Sequence, residues 1–140
     1  MIERNQKLID AAAAARLRAF APFSHFRVGA AVETVDGEIV TGCNIESATY
    51  GLTMCAERVA IWKAVSEGAK GFRSIAVVVD TERLTPPCGS CRQIIWEFCG
   101  DVPVVLANLG GQIETFAASE LLPRAFDTSF LSGEKDQHTS

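Results

Sequence analysis

No apolar run in this chain of 140 residues approaches the roughly 18 that a membrane-spanning helix needs, so no membrane partner is expected. The opening residues Met1-Ile2-Glu3-Arg4-Asn5 lack the basic start and apolar core of a secretion signal. Basic side chains are few and unclustered: 13 Lys and Arg stand against 17 Asp and Glu, for a net charge of −4. That argues against a long nucleic acid as partner, because such a partner needs a cationic footprint. Repeats and linker-like stretches are missing as well. What remains is one domain over residues 1–131 followed by a short polar tail over 132–140. A full set of disulfides is excluded by arithmetic. Five cysteines is an odd number, and a Cys-x-x-Cys pair among them favours metal binding in a reducing, cytoplasmic setting.

The rest of the composition is ordinary for a globular protein, at 48% hydrophobic and 21% charged residues. Residues 6–20 place Leu8, Ile9, Ala12 and Ala15 on one stripe and predict a helix that stops before Pro22. Phe26 to Thr34 and Glu38 to Asn44 read as two strands around the hairpin signal Asp36-Gly37. After an irregular loop, Thr53 is placed to cap a second helix that runs to Glu67 and ends at Gly68. Ile75 to Val79 is short, continuous and β-branched, as a buried central strand would be. Pro86-Pro87 breaks the chain before a third helix over residues 89–98. Strands follow at 102–107 and 113–116, separated by the turn Leu109-Gly110-Gly111-Gln112, and Ser119 can cap a short last helix. This order predicts an α/β fold, a three-layer sandwich with a mixed five-stranded sheet between helices.

The chemistry is concentrated in two segments, Thr53-Met54-Cys55-Ala56-Glu57-Arg58 and Pro87-Cys88-Gly89-Ser90-Cys91. Each opens a predicted helix, where the dipole and free N–H groups favour thiolates. Cys88 and Cys91 are three apart and can face one point, with Cys55 approaching from the other helix. A closed structural zinc site takes four protein ligands, whereas a catalytic one takes three and leaves a position open. Three cysteines beside an unused carboxylate, Glu57, fit the second kind. Buried cysteines are often mere packing, but three in this spacing are not. The pattern Cys-x-Glu followed by Pro-Cys-x-x-Cys is the three-cysteine form of the zinc deaminase signature. Three thiolates on Zn²⁺ carry a net charge near −1, which weakens the metal's pull on water. Arg58 is placed to withdraw some of that charge, against the plainer reading of a solvated helix arginine.

The segments Ala21 to Ala31, Gly42-Cys43-Asn44-Ile45-Glu46, Tyr50 to Arg58 and Pro87 to Gln93 closely resemble the small homotetrameric cytidine deaminases. Leu121-Leu122-Pro123-Arg124-Ala125-Phe126 resembles that family's C-terminal segment. The resemblance implies one Zn²⁺ per chain on Cys55, Cys88 and Cys91, with Glu57 as the proton shuttle for a zinc-activated water. It implies a nucleoside pocket in which Asn44 and Glu46 hold the ribose 3′-hydroxyl and Phe26 packs beside sugar and base. It assigns the Ala56 backbone N–H to the pyrimidine O2 and the Pro86 carbonyl to the amino group. Ala48 and Tyr50 fall near the 5′-hydroxyl across a subunit boundary, and Phe126 stacks on a neighbouring subunit's base. Two positions depart from the family pattern: Pro86 where a small polar residue is common, and Phe23 where tyrosine is common. Cys43 and Cys99 lack ligand spacing and read as structural.

The expected activity is hydrolytic deamination of cytidine and 2′-deoxycytidine, a pyrimidine nucleoside reaction, in a homotetramer with shared active sites. Two rivals are kept. A deaminase of a modified cytosine nucleoside such as blasticidin S would share both zinc segments, but Asn44-Ile45-Glu46 favours recognition of ribose hydroxyls. A non-catalytic zinc-stabilised RNA-binding module is opposed by the acidic balance and by the missing fourth ligand.

Overall fold

The computed structural model describes residues 2–132. Helix α1 spans Ile2–Arg16 and buries Leu8, Ile9, Ala12 and Ala15, the stripe visible in the sequence. It ends four residues before the expected boundary for a tertiary reason. The N–H groups of Leu17, Arg18 and Ala19 reach back three residues instead of four, tightening the last turn. The Phe20 N–H then donates to the Asn44 carbonyl at 3.0 Å, and Phe20 pairs with Ile45. Pairing with a distant segment of the same chain, not helix propensity, sets that end.

Strands β1 (Val28–Thr34) and β2 (Ile39–Cys43) form the expected antiparallel hairpin, and Gly37 at its tip has φ +89°, a value glycine adopts without strain. Strands β3 (Phe72–Val79), β4 (Pro103–Asn108) and β5 (Ile113–Ala117) complete a five-stranded sheet of order β2-β1-β3-β4-β5. β3 and β4 are parallel and joined by a helical crossover, while the other pairs are antiparallel. β3 is central and buried from Ser74 to Val79, which accounts for its unbroken apolar sequence.

Helix α1 covers one face of the sheet, packing on Ala31, Ala76, Val78, Val105 and Ala107. Helices α2 (Ala56–Ser66) and α3 (Gly89–Cys99) cover the other, over Ala30, Val32, Ile75, Val77, Val104 and Leu106. The three-layer α/β/α arrangement is the expected one. Both hairpin strands let a helix approach unusually closely. A Cβ at Gly29 would lie 1.9 Å from the Ala12 carbonyl oxygen of α1. One at Gly42 would lie 2.5 Å from the Ala60 nitrogen and 2.7 Å from the Ala56 carbonyl oxygen of α2.

After β5 the chain makes helix α4 (Ala118–Leu121) and then helix α5 (Thr128–Ser132), which sequence reasoning did not anticipate. Ser119 does not cap α4. Its N–H and hydroxyl both bind the Asp101 carboxylate, at 2.8 and 3.0 Å, and the Glu120 carboxylate accepts the Ala117 N–H instead. The polar tail expected over 132–140 lies, beyond Ser132, outside the described residues. Among the described residues, no helix is long and apolar enough to cross a membrane.

Candidate active site

Both helices of one face start at the same place, and each presents a cysteine at its N-cap. Cys55 caps α2 and Cys88 caps α3, both with extended backbone. The expected cap, Thr53, is used elsewhere: its hydroxyl accepts the Ser47 N–H at 3.0 Å, inside the loop before α2. Residues 50–52 make a single 3₁₀ turn, and Met54 pairs with Ile45. The helix therefore begins one residue after Cys55 and two residues later than the Thr53 cap required. This correction matters chemically, because it puts Cys55 at the N-terminal end of α2, where the helix dipole favours a thiolate.

The sulfurs of Cys55, Cys88 and Cys91 all lie within 4.8 Å of one another, with Cys55 and Cys88 at 3.9 Å. Among the described residues, no further histidine, cysteine, aspartate or glutamate joins this cluster. Arg58, one turn along α2 from Cys55, donates Nη2–H to the Cys55 sulfur at 3.3 Å. The Cys55 thiol is pulled down to about 5, first by the hydrogen bond from Cys91 and against burial, then by Arg58. The Cys91 thiol is pushed up by that same shared hydrogen bond and by burial. Three sulfurs packed this closely mark a cluster suited to a cation. The donor set fits one zinc ion: three convergent thiols at two helix N-termini, with a guanidinium offsetting excess negative charge.

Glu57 is 4% exposed and lies over the cluster, where burial pushes its carboxyl up to about 7. It lines a cavity of about 210 Å³ together with Cys55, Cys88, Ala56 and Pro86. Phe26 and Asn44 also reach this cavity. The Asn44 amide is partly committed: its nitrogen donates to the Phe26 carbonyl at 2.7 Å and its oxygen accepts the Val28 N–H at 2.9 Å. It thus holds the Phe26–Val28 segment at the cavity mouth. Val28, Met54, Val77, Val79 and Thr85 line the cavity without having been singled out from sequence. For Val77 and Val79, strand alternation toward the face that carries α2 and α3 was the available signal.

The remaining residues stand apart from this cavity. Glu46 sits in an adjacent shallow depression with Phe23, Ser24, Tyr50 and Thr53. Its carboxylate accepts the Phe23 and Ser24 N–H groups at 2.9 and 3.1 Å and the Ser24 hydroxyl, and that hydroxyl bond leads the causes that lower its pKa. Tyr50 is 75% exposed and meets Phe23 edge-on at 6.0 Å. Ala48 lines neither hollow. Phe126 is 56% exposed, stacks on Phe130 at 5.8 Å and does not reach its own chain's cavity. Its backbone is held to α3 by Gln93, which donates to the Phe126 carbonyl at 2.7 Å, and the next side chain, the Asp127 carboxylate, accepts the Trp96 indole N–H at 2.9 Å.

Comparison with known proteins agrees with this geometry. Residues 2–107 match the family model described as the cytidine and deoxycytidylate deaminase zinc-binding region. A cytidine deaminase from Sporosarcina psychrophila is 50% identical, over 94% of this chain and 98% of its own length. The crystal structure of cytidine deaminase from Burkholderia pseudomallei superposes with a TM-score of 0.84 at 47% identity, covering 86% of this chain and 98% of that one. A blasticidin-S deaminase from Bacillus cereus is more distant, at 38% identity over 69% of this chain and 74% of its own. With a matching zinc-binding region over most of its length and relatives this similar end to end, the chain belongs to the cytidine and deoxycytidylate deaminase family.

Proposed function

We propose that this protein hydrolyses cytidine and 2′-deoxycytidine to uridine and 2′-deoxyuridine with release of ammonia. The observation that carries the reading is the buried Glu57 carboxyl, which lines a cavity beside three convergent thiols. Cys55, Cys88 and Cys91 would hold one zinc ion, which when bound supplies a Lewis acid able to make water nucleophilic near neutral pH.

The protein's own groups do the rest. In the net reaction a C–O bond forms at C4 of the base and the C4–N bond breaks. The water gives up protons, and N3 and the departing amine each need one. A single carboxylate positioned over C4 can take and return them in turn. Glu57 suits that work because burial brings its pKa near neutrality. The reading assigns the Ala56 N–H at the start of α2 to the base O2 and the Pro86 carbonyl to the amino group; both residues line the cavity. Phe26 and the valines of β1 and β3 supply an apolar surface for the ring and keep bulk water out.

Asn44 at the cavity mouth and Glu46 in the adjoining depression are assigned to the ribose hydroxyls. Both already hold backbone N–H groups of the 23–28 segment, so a sugar bound there would engage atoms whose positions are set in advance. A homotetramer completes the site in this reading. Exposed Tyr50 and Phe126, which lie outside their own chain's cavity, reach a neighbour's substrate. Three thiols kept for a metal suit a reducing compartment, and the reading assigns the protein to the cytoplasm.

One plate of absorbance assays tests the function, with cytidine, 2′-deoxycytidine, cytosine, cytidine monophosphate and blasticidin S. Turnover of the two nucleosides well above the other three is expected. A preference for blasticidin S would replace the substrate assignment. Salt-dependent RNA binding with no ammonia release from any of the five would replace the enzymatic reading.

A further inference from the structure

The connection between β3 and α3 carries Thr85 and Pro86 into the cavity wall, just before Pro87 and the Cys88 N-cap. It has no regular structure of its own. Inside it, the Thr81 hydroxyl donates to the Arg83 carbonyl at 2.5 Å and meets the Thr85 hydroxyl at 3.2 Å. From outside it is held by Asn108, the last residue of β4, which sits opposite Val79 in the parallel β3/β4 pair.

The Asn108 side-chain nitrogen lies 2.9 Å from the Thr81 carbonyl oxygen, 3.2 Å from that of Glu82 and 2.9 Å from the Gln112 side-chain oxygen. Its oxygen accepts the Gln112 N–H at 2.9 Å. A primary amide has two N–H donors, and three oxygens around this one occupy them fully. Within the β4–β5 turn the amide accepts the Gln112 N–H and donates to the Gln112 side chain, and an aspartate would keep the first of these contacts. Its remaining donor contacts cross to Thr81 and Glu82, in the connection that forms the cavity wall. Asn108 itself does not line the cavity.

We propose that Asn108 is a positioning residue for the leaving-group side of the active site. By clasping the turn at Thr81 and Glu82, its amide fixes where Thr85 and Pro86 stand against the substrate's exocyclic amine. This rests on the deaminase reading above. In that reading the reacting carbon lies beside Glu57 and the three sulfurs. The amine leaving that carbon therefore faces the stretch of wall contiguous in the chain with Cys88. A clasp released at Thr81 lets that stretch relax, and misplacement of this kind weakens the chemical step more than substrate binding.

The experiment compares wild type, Asn108→Asp, Asn108→Ala and Gln112→Ala, each loaded with zinc and assayed well below its melting temperature. Uridine formation is followed from cytidine and from N4-methylcytidine. Asn108→Asp keeps the turn acceptor and removes the donors. It is expected to lower kcat on cytidine by about tenfold or more with a smaller change in KM, and to shift the ratio of kcat/KM between the two substrates. Asn108→Ala should do the same, while Gln112→Ala leaves the ratio at its wild-type value. If the Asn108 variants do not fold, Thr81→Val loosens the connection from inside and should shift the ratio likewise; an unchanged ratio there would overturn the proposal. Folded, zinc-loaded Asn108 variants that keep wild-type kcat and selectivity, with only a lower melting temperature, would also overturn it. A wild-type protein that forms no uridine from cytidine would overturn the deaminase reading itself, and this inference with it.

Discussion

Arg58 meets the Cys55 sulfur at 3.3 Å, and that contact carries more weight than a lone surface arginine would suggest. Three thiolates on one divalent ion leave excess negative charge. A guanidinium touching one sulfur draws some of it away and restores the metal's hold on water. Arg58→Ala is therefore expected to lower kcat on cytidine by about 10–100-fold and to weaken zinc retention against a chelator. Unchanged turnover with unchanged zinc retention would show that the arginine is only a solvated helix residue. Cys88 is a harsher test of the same cluster. Cys88→Ala removes a metal-binding thiol and with it the tie between the starts of α2 and α3, so it should lose zinc and lower the melting temperature. Metal analysis of the purified variant and a thermal melt check both. A Cys88→Ala protein holding a full zinc complement would move the metal elsewhere.

At the scale of elements, the site depends on how closely α2 lies against β2. Gly42 permits that approach, since a methyl group there would lie 2.5 Å from the Ala60 nitrogen and 2.7 Å from the Ala56 carbonyl oxygen. Gly42→Ala should push the first turn of α2, with Cys55 and Glu57, off β2 and out of its place beside Cys88 and Cys91. Destabilisation of about 1–3 kcal/mol is expected, with a loss of kcat larger than the loss of stability explains. Gly51→Ala, at a position with open space, should change neither. Equal kcat in both variants would show that α2 adapts without moving the site. Legibility from sequence follows the same division. The α1 stripe, the Asp36-Gly37 hairpin, the buried β3 run and the two cysteine segments were readable because each is local and its pattern has a physical period or spacing. The early end of α1, the displaced start of α2 and the capture of Ser119 by Asp101 were not. Each is decided by a partner distant in sequence: Asn44 for Phe20, Ser47 for Thr53, and Asp101 for Ser119. The Asn108 clasp escaped for the same reason, since nothing near residue 108 announces carbonyls at 81 and 82.

At the scale of the whole molecule, Phe126 stacked on Phe130 and Tyr50 beside Phe23 are aromatic pairs left facing outward, beyond their own chain's cavity. A tetramer with shared sites, as proposed above, would cover both pairs, and an aromatic contact of this kind contributes about 0.5–1.5 kcal/mol beyond area burial. Subunit mixing tests it. A Glu57→Gln chain and a Phe126→Ala chain, each weakly active alone, should regain activity when exchanged into one assembly. Some mixed sites then combine Glu57 of one chain with Phe126 of another. No gain in assemblies shown to be mixed would place Phe126 outside any neighbour's site. The central claim is that the fold assembles two helix starts into one hydrolytic centre whose proton carrier is Glu57. The most direct measurement is turnover of cytidine by Glu57→Gln, with zinc counted in the same sample. Glutamine keeps the size and hydrogen-bonding capacity of the side chain and removes the base. The account predicts one zinc per chain and a kcat lower by about 10²–10⁴-fold. A zinc-loaded Glu57→Gln protein that turns over cytidine at the wild-type rate would contradict it.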